Sequence, residues 1–172
     1  MRWIVCGLAV ASTFAFAASA TVSGTGSARA ETEAQLLSAH NLERDRVGVA
    51  RLRWNPKLAK EAQAWANTLA SSGRFEHSRD RADEGENLWM GTAGHYSTAE
   101  MVGGFVEEAR YFKPGQFPEV SRTGSWQDVG HYTQLIWPET REVGCAVSRA
   151  RAKEVLVCRY FPAGNVIGEM IG

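Results

Sequence analysis

The sequence predicts an α+β domain, and three observations carry that prediction. Three stretches repeat apolar residues at helical spacing, each behind a capping signal. A fourth short run, 130–137, is apolar, bears His131 and stops at Pro138. Two strand-like runs, 142–148 and 154–161, close the chain with a turn between them.

Residues 1–30 read as a secretory signal peptide. Met1 and Arg2 give a positive start, residues 4–18 are apolar or small, and Ala28-Arg29-Ala30 has the small-x-small form of a cleavage site. The alternative is an uncleaved anchor, since residues 3–22 are long enough to span a bilayer; Ser12, Thr13, Ser19 and the many alanines weaken it. Cleavage leaves residues 31–172 as one domain. It removes two arginines from a formally neutral chain, leaving a net charge of −2. That balance offers no electrostatic grip on nucleic acid. No later segment is long and apolar enough to cross a membrane, so the mature form is expected to be soluble, in the periplasm or outside the cell. Cys6 leaves with the signal. Cys145 and Cys158 remain, an even pair for which a disulfide is the first expectation and a metal site the second.

The elements follow in order. Thr32 and Gln35 fit a capping box for a first helix, with Leu36, His40, Glu43 and Val47 on one stripe and Gly48 at its end. Asn55 caps a second helix with Pro56 at its first position. Its stripe is Leu58, Ala62, Trp65 and Leu69, and Gly73 suits its end. Residues 75–89 read as irregular chain with short extended pieces, and the charge run 79–84 as a solvated loop. Ser97 and Glu100 open a third helix whose stripe is Met101, Phe105, Glu108 and Phe112. A carboxylate on an apolar stripe needs a partner or a route to water. Glu107 lies about 100° round the helix and is expected to face solvent. Residues 113–126, with Pro114, Gly115, Pro118 and Gly124, form a loop able to rim a groove. Pairing the two terminal strands about a turn at 149–153 sets Cys145 opposite Cys158, a geometry a disulfide can span.

These motifs resemble those of the CAP superfamily: cysteine-rich secretory proteins, antigen 5 and pathogenesis-related 1. Residues 130–137 with Thr140 look like its first signature, and residues 155–165 like its second. His40-Asn41 with Arg44, Leu52-Arg53-Trp54-Asn55, His77-Ser78 and Gly85-Glu86-Asn87-Leu88 stand in the expected order. The resemblance implies a three-layer α-β-α sandwich around a small, mainly antiparallel sheet. It also implies a cleft lined by His77, Glu86, Glu108 and His131. The family usually has Trp-x-x-Glu at the third position; here it is Phe105-Val106-Glu107-Glu108. The mature chain resembles compact members without a cysteine-rich tail.

Two imidazoles and two carboxylates suit Zn²⁺ or a related divalent ion; a metal-free hydrogen-bonded network is the alternative. Three functions follow. The first is a secreted, non-enzymatic binding module with a defence, host or envelope role. The resemblance implies a groove for sterol, fatty acid or other lipid, here rimmed by Phe112, Phe117, Trp126 and Tyr132. The second is an interaction scaffold for a protein partner. The third is a metal-dependent, protease-like hydrolase with Glu86 or Glu108 as general base. No nucleophile elbow or catalytic cysteine supports covalent catalysis.

Overall fold

The computed structural model describes residues 23–81 and 83–172; most of the expected signal segment, up to residue 22, lies outside the described residues. Helix α1 (Ser23–Val47) starts well before the expected cap at Thr32. The Thr32 hydroxyl donates back to the Ala28 carbonyl at 2.9 Å, and the Gln35 amide to Glu31, so both side chains serve a helix already under way. Ala28, Ala30 and Ala34 favour that continuation, and Ala30 lies inside the helix. The expected stripe is inward, with Leu36, His40 and Glu43 buried. Arg44 is buried too. Its guanidinium donates to the carbonyls of Ala50, Leu135, Trp137 and Thr140, tying the helix to a distant turn. Burial lowers its pKa to about 10.

Helix α2 (Pro56–Ser72) has the expected ends. The Asn55 side chain accepts from the Lys57 and Leu58 amides, and Gly73 closes the helix at φ 73°. Its buried face is Leu58, Ala62, Ala66 and Leu69, while Trp65 is only partly buried and donates its indole N–H to the Glu76 carbonyl.

The main sheet runs β1 (Arg53–Trp54), β4 (Glu142–Ala150), β5 (Lys153–Phe161), β2 (Gly85–Thr92). β1 pairs parallel to β4, and the other pairs are antiparallel. Where residues 75–89 were expected as irregular chain with short extended pieces, residues 85–92 thus form a full edge strand. Its apolar and polar residues do not alternate because α2 covers one face and helices cover the other. Cys145 lies opposite Cys158 and the two form a disulfide. A Cβ on Gly144 would lie 2.2 Å from the Ala59 amide nitrogen, so the backbone of α2 rests directly on β4 there.

Helix α3 (Thr98–Val106) carries the Ser97–Glu100 capping box, then tightens into a 3₁₀ turn, Glu107–Tyr111. Phe112 therefore falls outside the helix. Helix α4 (Gly130–Ile136) ends before Trp137 and Pro138. β3 (Gly115–Gln116) pairs with β6 (Met170–Ile171), tying the 113–126 loop to the C-terminal segment.

The result is the three-layer sandwich. On one face, Ala62, Ala66 and Leu69 of α2 pack on Ala146, Val155 and Val157. On the other, Leu36, Phe105 and Leu135 pack on Cys145, Leu156, Cys158 and Tyr160. Alternate residues of β5 feed the two cores, each large buried side chain contributing about 1.5–3 kcal/mol. Among the described residues no helix is long and apolar enough to cross a membrane.

Candidate functional site

A cleft of about 800 Å³ opens between the N-terminus of α4, the start of β2, the loop 77–81 and the loop 117–127. His77, Glu86 and His131 line it; Glu108 stands behind His131. The predicted four meet as two dyads. His77 Nδ1 lies 2.7 Å from Glu86 Oε1, and His131 Nδ1 lies 2.6 Å from Glu108 Oε1.

The two carboxylates are held differently. Glu86 Oε1 also accepts the Ser78 amide at 3.0 Å. Its Oε2 lies 2.9 Å from Arg159 Nε, a charge contact not aligned as a hydrogen bond. The Glu86 side chain is 0% exposed. Glu108 Oε2 accepts the His131 and Tyr132 amides at 2.9 and 3.1 Å. A carboxylate from the α3 segment thus caps α4, whose own N-cap residue, Val129, supplies no side-chain cap. The two readings of Glu108 resolve toward a partner, and Glu107 faces solvent as expected.

Each dyad commits both carboxylate oxygens, so the four side chains do not form one four-ligand shell. With the carboxylates on Nδ1, the Nε2 atoms of His77 and His131 have no hydrogen-bond partner among the described residues. This is the usual arrangement of metal-binding histidines, in which a carboxylate fixes the tautomer and the other nitrogen bonds the ion. Neutral imidazoles held this way fit Zn²⁺, with water to complete the shell.

Behind His131 runs a directed relay. The Leu36 carbonyl is 2.8 Å from His40 Nδ1, which must donate. His40 Nε2 then accepts the Tyr160 hydroxyl at 2.8 Å. The Asn87 amide donates to that hydroxyl oxygen at 3.2 Å and to the His131 carbonyl at 2.9 Å. Burial lowers the His40 pKa to about 4 and raises that of Tyr160 well above its usual range, so both stay neutral. His40 is therefore a structural group.

Among the described residues, only His40, Cys145 and Cys158 bring three candidate ligand atoms within 4.8 Å of one another. The disulfide takes up both sulfurs, so that cluster could hold a metal only in the reduced protein.

The expected groove residues divide. Phe117 and Trp126 line the cleft, their rings edge-to-face at 5.4 Å. Phe112 and Tyr132 meet each other on another side, also at 5.4 Å. Tyr132 follows His131 by about 100° of helical turn, which swings it into the core. Its hydroxyl donates to Glu43 at 3.0 Å and accepts from Arg46 at 3.3 Å. Burial raises its pKa to about 12. A second, more apolar furrow of about 570 Å³ runs between α1 and α3, along Ala39, Leu42, Ala99, Val102 and Val106.

Sequence reasoning missed Arg159, which neutralises Glu86. Its place in a near-continuous apolar strand, between Cys158 and Tyr160, gave a signal, because a buried charge requires a buried partner. It also missed Arg79 and Arg81 as cleft residues.

Residues 37–160 match the CAP family, described as the Cysteine-rich secretory protein family. Pathogenesis-related protein 1C of Nicotiana tabacum is 36% identical over 134 residues, 77% of this chain and 76% of that protein. Secreted protein RBT4 of Candida albicans is 36% identical over 137 residues, 78% of this chain but 36% of that longer protein. Among solved structures, BmVAL-1 shares the fold at TM-score 0.69 and 22% identity, over 81% of both chains. NaASP2, crystallised with Zn²⁺, aligns at TM-score 0.66 and 25% identity, over 81% of this chain and 84% of that one. A family match across most of the folded part, two dyads at the motif positions and the shared sandwich lead to one assignment: the chain belongs to the CAP family of cysteine-rich secretory and pathogenesis-related 1 proteins.

Proposed function

We propose that this is a secreted binding module that holds a divalent cation, Zn²⁺ by its ligand chemistry, between His77 and His131. The observation that carries the reading is the pair of cleft imidazoles, each with Nδ1 fixed by a carboxylate and Nε2 without a partner among the described residues. NaASP2, crystallised with Zn²⁺, supports it by analogy. When bound, the ion supplies a positive centre with open positions for a ligand. His77 and His131 bind it; Glu86 and Glu108 orient the rings. Glu108 already accepts bonds at both oxygens and Glu86 is held by His77, Ser78 and the Arg159 charge, which favours binding over hydrolysis, where one of them would have to take a proton from water.

Lipid binding belongs to the same reading. The α1–α3 furrow has the apolar lining an acyl chain needs, and Phe117 with Trp126 gives the cleft an aromatic wall. Secretion rests on the signal segment and on the relative named a secreted protein; residues 31–172 would be the mature domain.

The test is calorimetric titration of Zn²⁺ into chelator-treated protein. The wild type should bind one ion, and His77→Ala and His131→Ala should each abolish saturation. Equal binding by the double variant would refute the site. For the furrow, a fluorescent fatty acid should bind saturably to the wild type and fail to bind Leu42→Glu/Val106→Glu.

A further inference from the structure

The loop between Ser78 and β2 reads Arg-Asp-Arg at 79–81, with Asp83 and Glu84 after it. In the fold the signs are sorted. Arg79 and Arg81 line the cleft, whereas Asp80 and Asp83 do not. The loop turns at Ser78–Asp80 and again at Arg81–Glu84, and between these turns both guanidiniums reach one wall.

The cleft's acids do not neutralise them. Glu86 is occupied by His77 and Arg159, and Glu84 lies 3.1 Å from Arg159 and 3.6 Å from Lys57. No carboxylate among the described residues lies within 4.0 Å of the Arg79 or Arg81 guanidinium. The remaining titratable groups facing the cleft are His77 and His131, which add no negative charge. The wall therefore carries two guanidiniums that the neighbouring carboxylates, engaged with Arg159 and Lys57, do not pair. The same cleft is lined by Trp126, Phe117 and Ile167, the last 81% exposed. An aromatic and aliphatic surface thus shares the cleft with two guanidiniums that have no carboxylate partner among the described residues.

We infer that the cleft binds a doubly charged oxyanion ester, a phosphate monoester in the simplest case. Its oxygens would engage Arg79 and Arg81, and its organic body would lie on Trp126 and Ile167. A guanidinium is a planar fork that fits phosphate oxygens two at a time. Two such forks match a dianion better than a single carboxylate. An isolated carboxylate at the end of an acyl chain would leave half the charge unanswered. The inference goes beyond the metal reading and does not require it, because the guanidiniums keep their charge whatever the imidazoles hold.

The probes are phenyl phosphate, inorganic phosphate, and vesicles of phosphatidylcholine with or without phosphatidic acid. All are titrated against the full mature domain in EDTA and again with Zn²⁺. Phenyl phosphate should bind saturably in EDTA. The exposed double variant Arg79→Gln/Arg81→Gln should lose about tenfold or more in affinity, as expected for removing charge-assisted hydrogen bonds. Added salt should weaken the wild type more than the variant. Trp126→Ala should weaken phenyl phosphate and leave inorganic phosphate unchanged. Co-sedimentation with phosphatidic acid vesicles, competed by phenyl phosphate, would make the ester lipid-borne; binding of soluble phenyl phosphate alone would make it free. Equal affinity in the arginine variant overturns the inference. So does binding that needs Zn²⁺ and ignores the arginines, which would assign the anion to the metal. So does absence of saturation by every probe. Zn²⁺ titration of the same variant keeps the two readings apart, since it should bind metal as the wild type does.

Discussion

Glu108 does two jobs that one substitution can separate. Its Oε1 meets His131 Nδ1 at 2.6 Å; its Oε2 accepts the His131 and Tyr132 amides in the first turn of α4. Glu108→Ala removes both and leaves the helix start without a cap. Loss of a cap costs about 1 kcal/mol, and loss of charge-assisted bonds adds to it, offset by water because the side chain is 20% exposed. The sum is about 2–3 kcal/mol, or about 6–10 °C in melting temperature for a chain of this size. Glu108→Gln keeps a carbonyl oxygen for the amides, so its cost should be about 1 kcal/mol. But its amide must then donate to His131 Nδ1, which moves the ring proton to Nε2 and blocks the atom facing the cleft. Zn²⁺ affinity should fall about 10–100-fold, as for other oriented metal histidines. Urea denaturation measures the first effect and calorimetry the second. A Glu108→Gln protein that binds Zn²⁺ like the wild type would refute the assignment of Nε2 as the ligand atom.

Three further outcomes follow from the fold. Replacing Cys145 and Cys158 by alanine should cost about 3 kcal/mol from the short closed loop, read as a lower urea midpoint with an altered slope. Tyr160→Phe strands the buried acceptor His40 Nε2 and should cost about 1–3 kcal/mol in the same assay. His40 has a folded pKa of about 4, below its unfolded value of 6.5, so its contribution is fully present above pH 6.5 and lost as pH falls through that window. The loss should reach about 3 kcal/mol by pH 4, and stability measured across the same range in His40→Gln should show a shallower slope.

Caps and periodicity made α2 and the start of α3 legible, because Asn55, Gly73 and the Ser97–Glu100 box act locally. The hairpin register was legible for a similar reason: a short turn leaves few ways to pair Cys145 with Cys158. The start of α1 was not, because Thr32 and Gln35 can serve a cap or the middle of a helix equally well. The strand at 85–92 was missed because its first four residues, Gly85 to Leu88, are all buried, which erases the alternation that marks a strand. The parallel pairing of β1 with β4 joins residues far apart in the chain and leaves no local trace. In the site, residue types and family motifs pointed to the two histidines and two glutamates. Their division into dyads depends on Arg159 and on the α4 amides, which only the folded arrangement brings near. Tyr132 was placed in the groove because it adjoins His131 in sequence, whereas one step along a helix turns a side chain to another layer.

His77 and His131 hang from different slabs of the sandwich. The first is pinned through Glu86 and Arg159 to the strands. The second sits on a helix stacked with α1 and α3. An ion gripped by both would work as a buckle across that seam. At a free concentration one hundred times its dissociation constant it would add about 2.7 kcal/mol to the closed form. Stripping it with a chelator would then loosen the joint between slabs first, so amide exchange should quicken along α4 and the 77–84 loop while the α2 face stays protected.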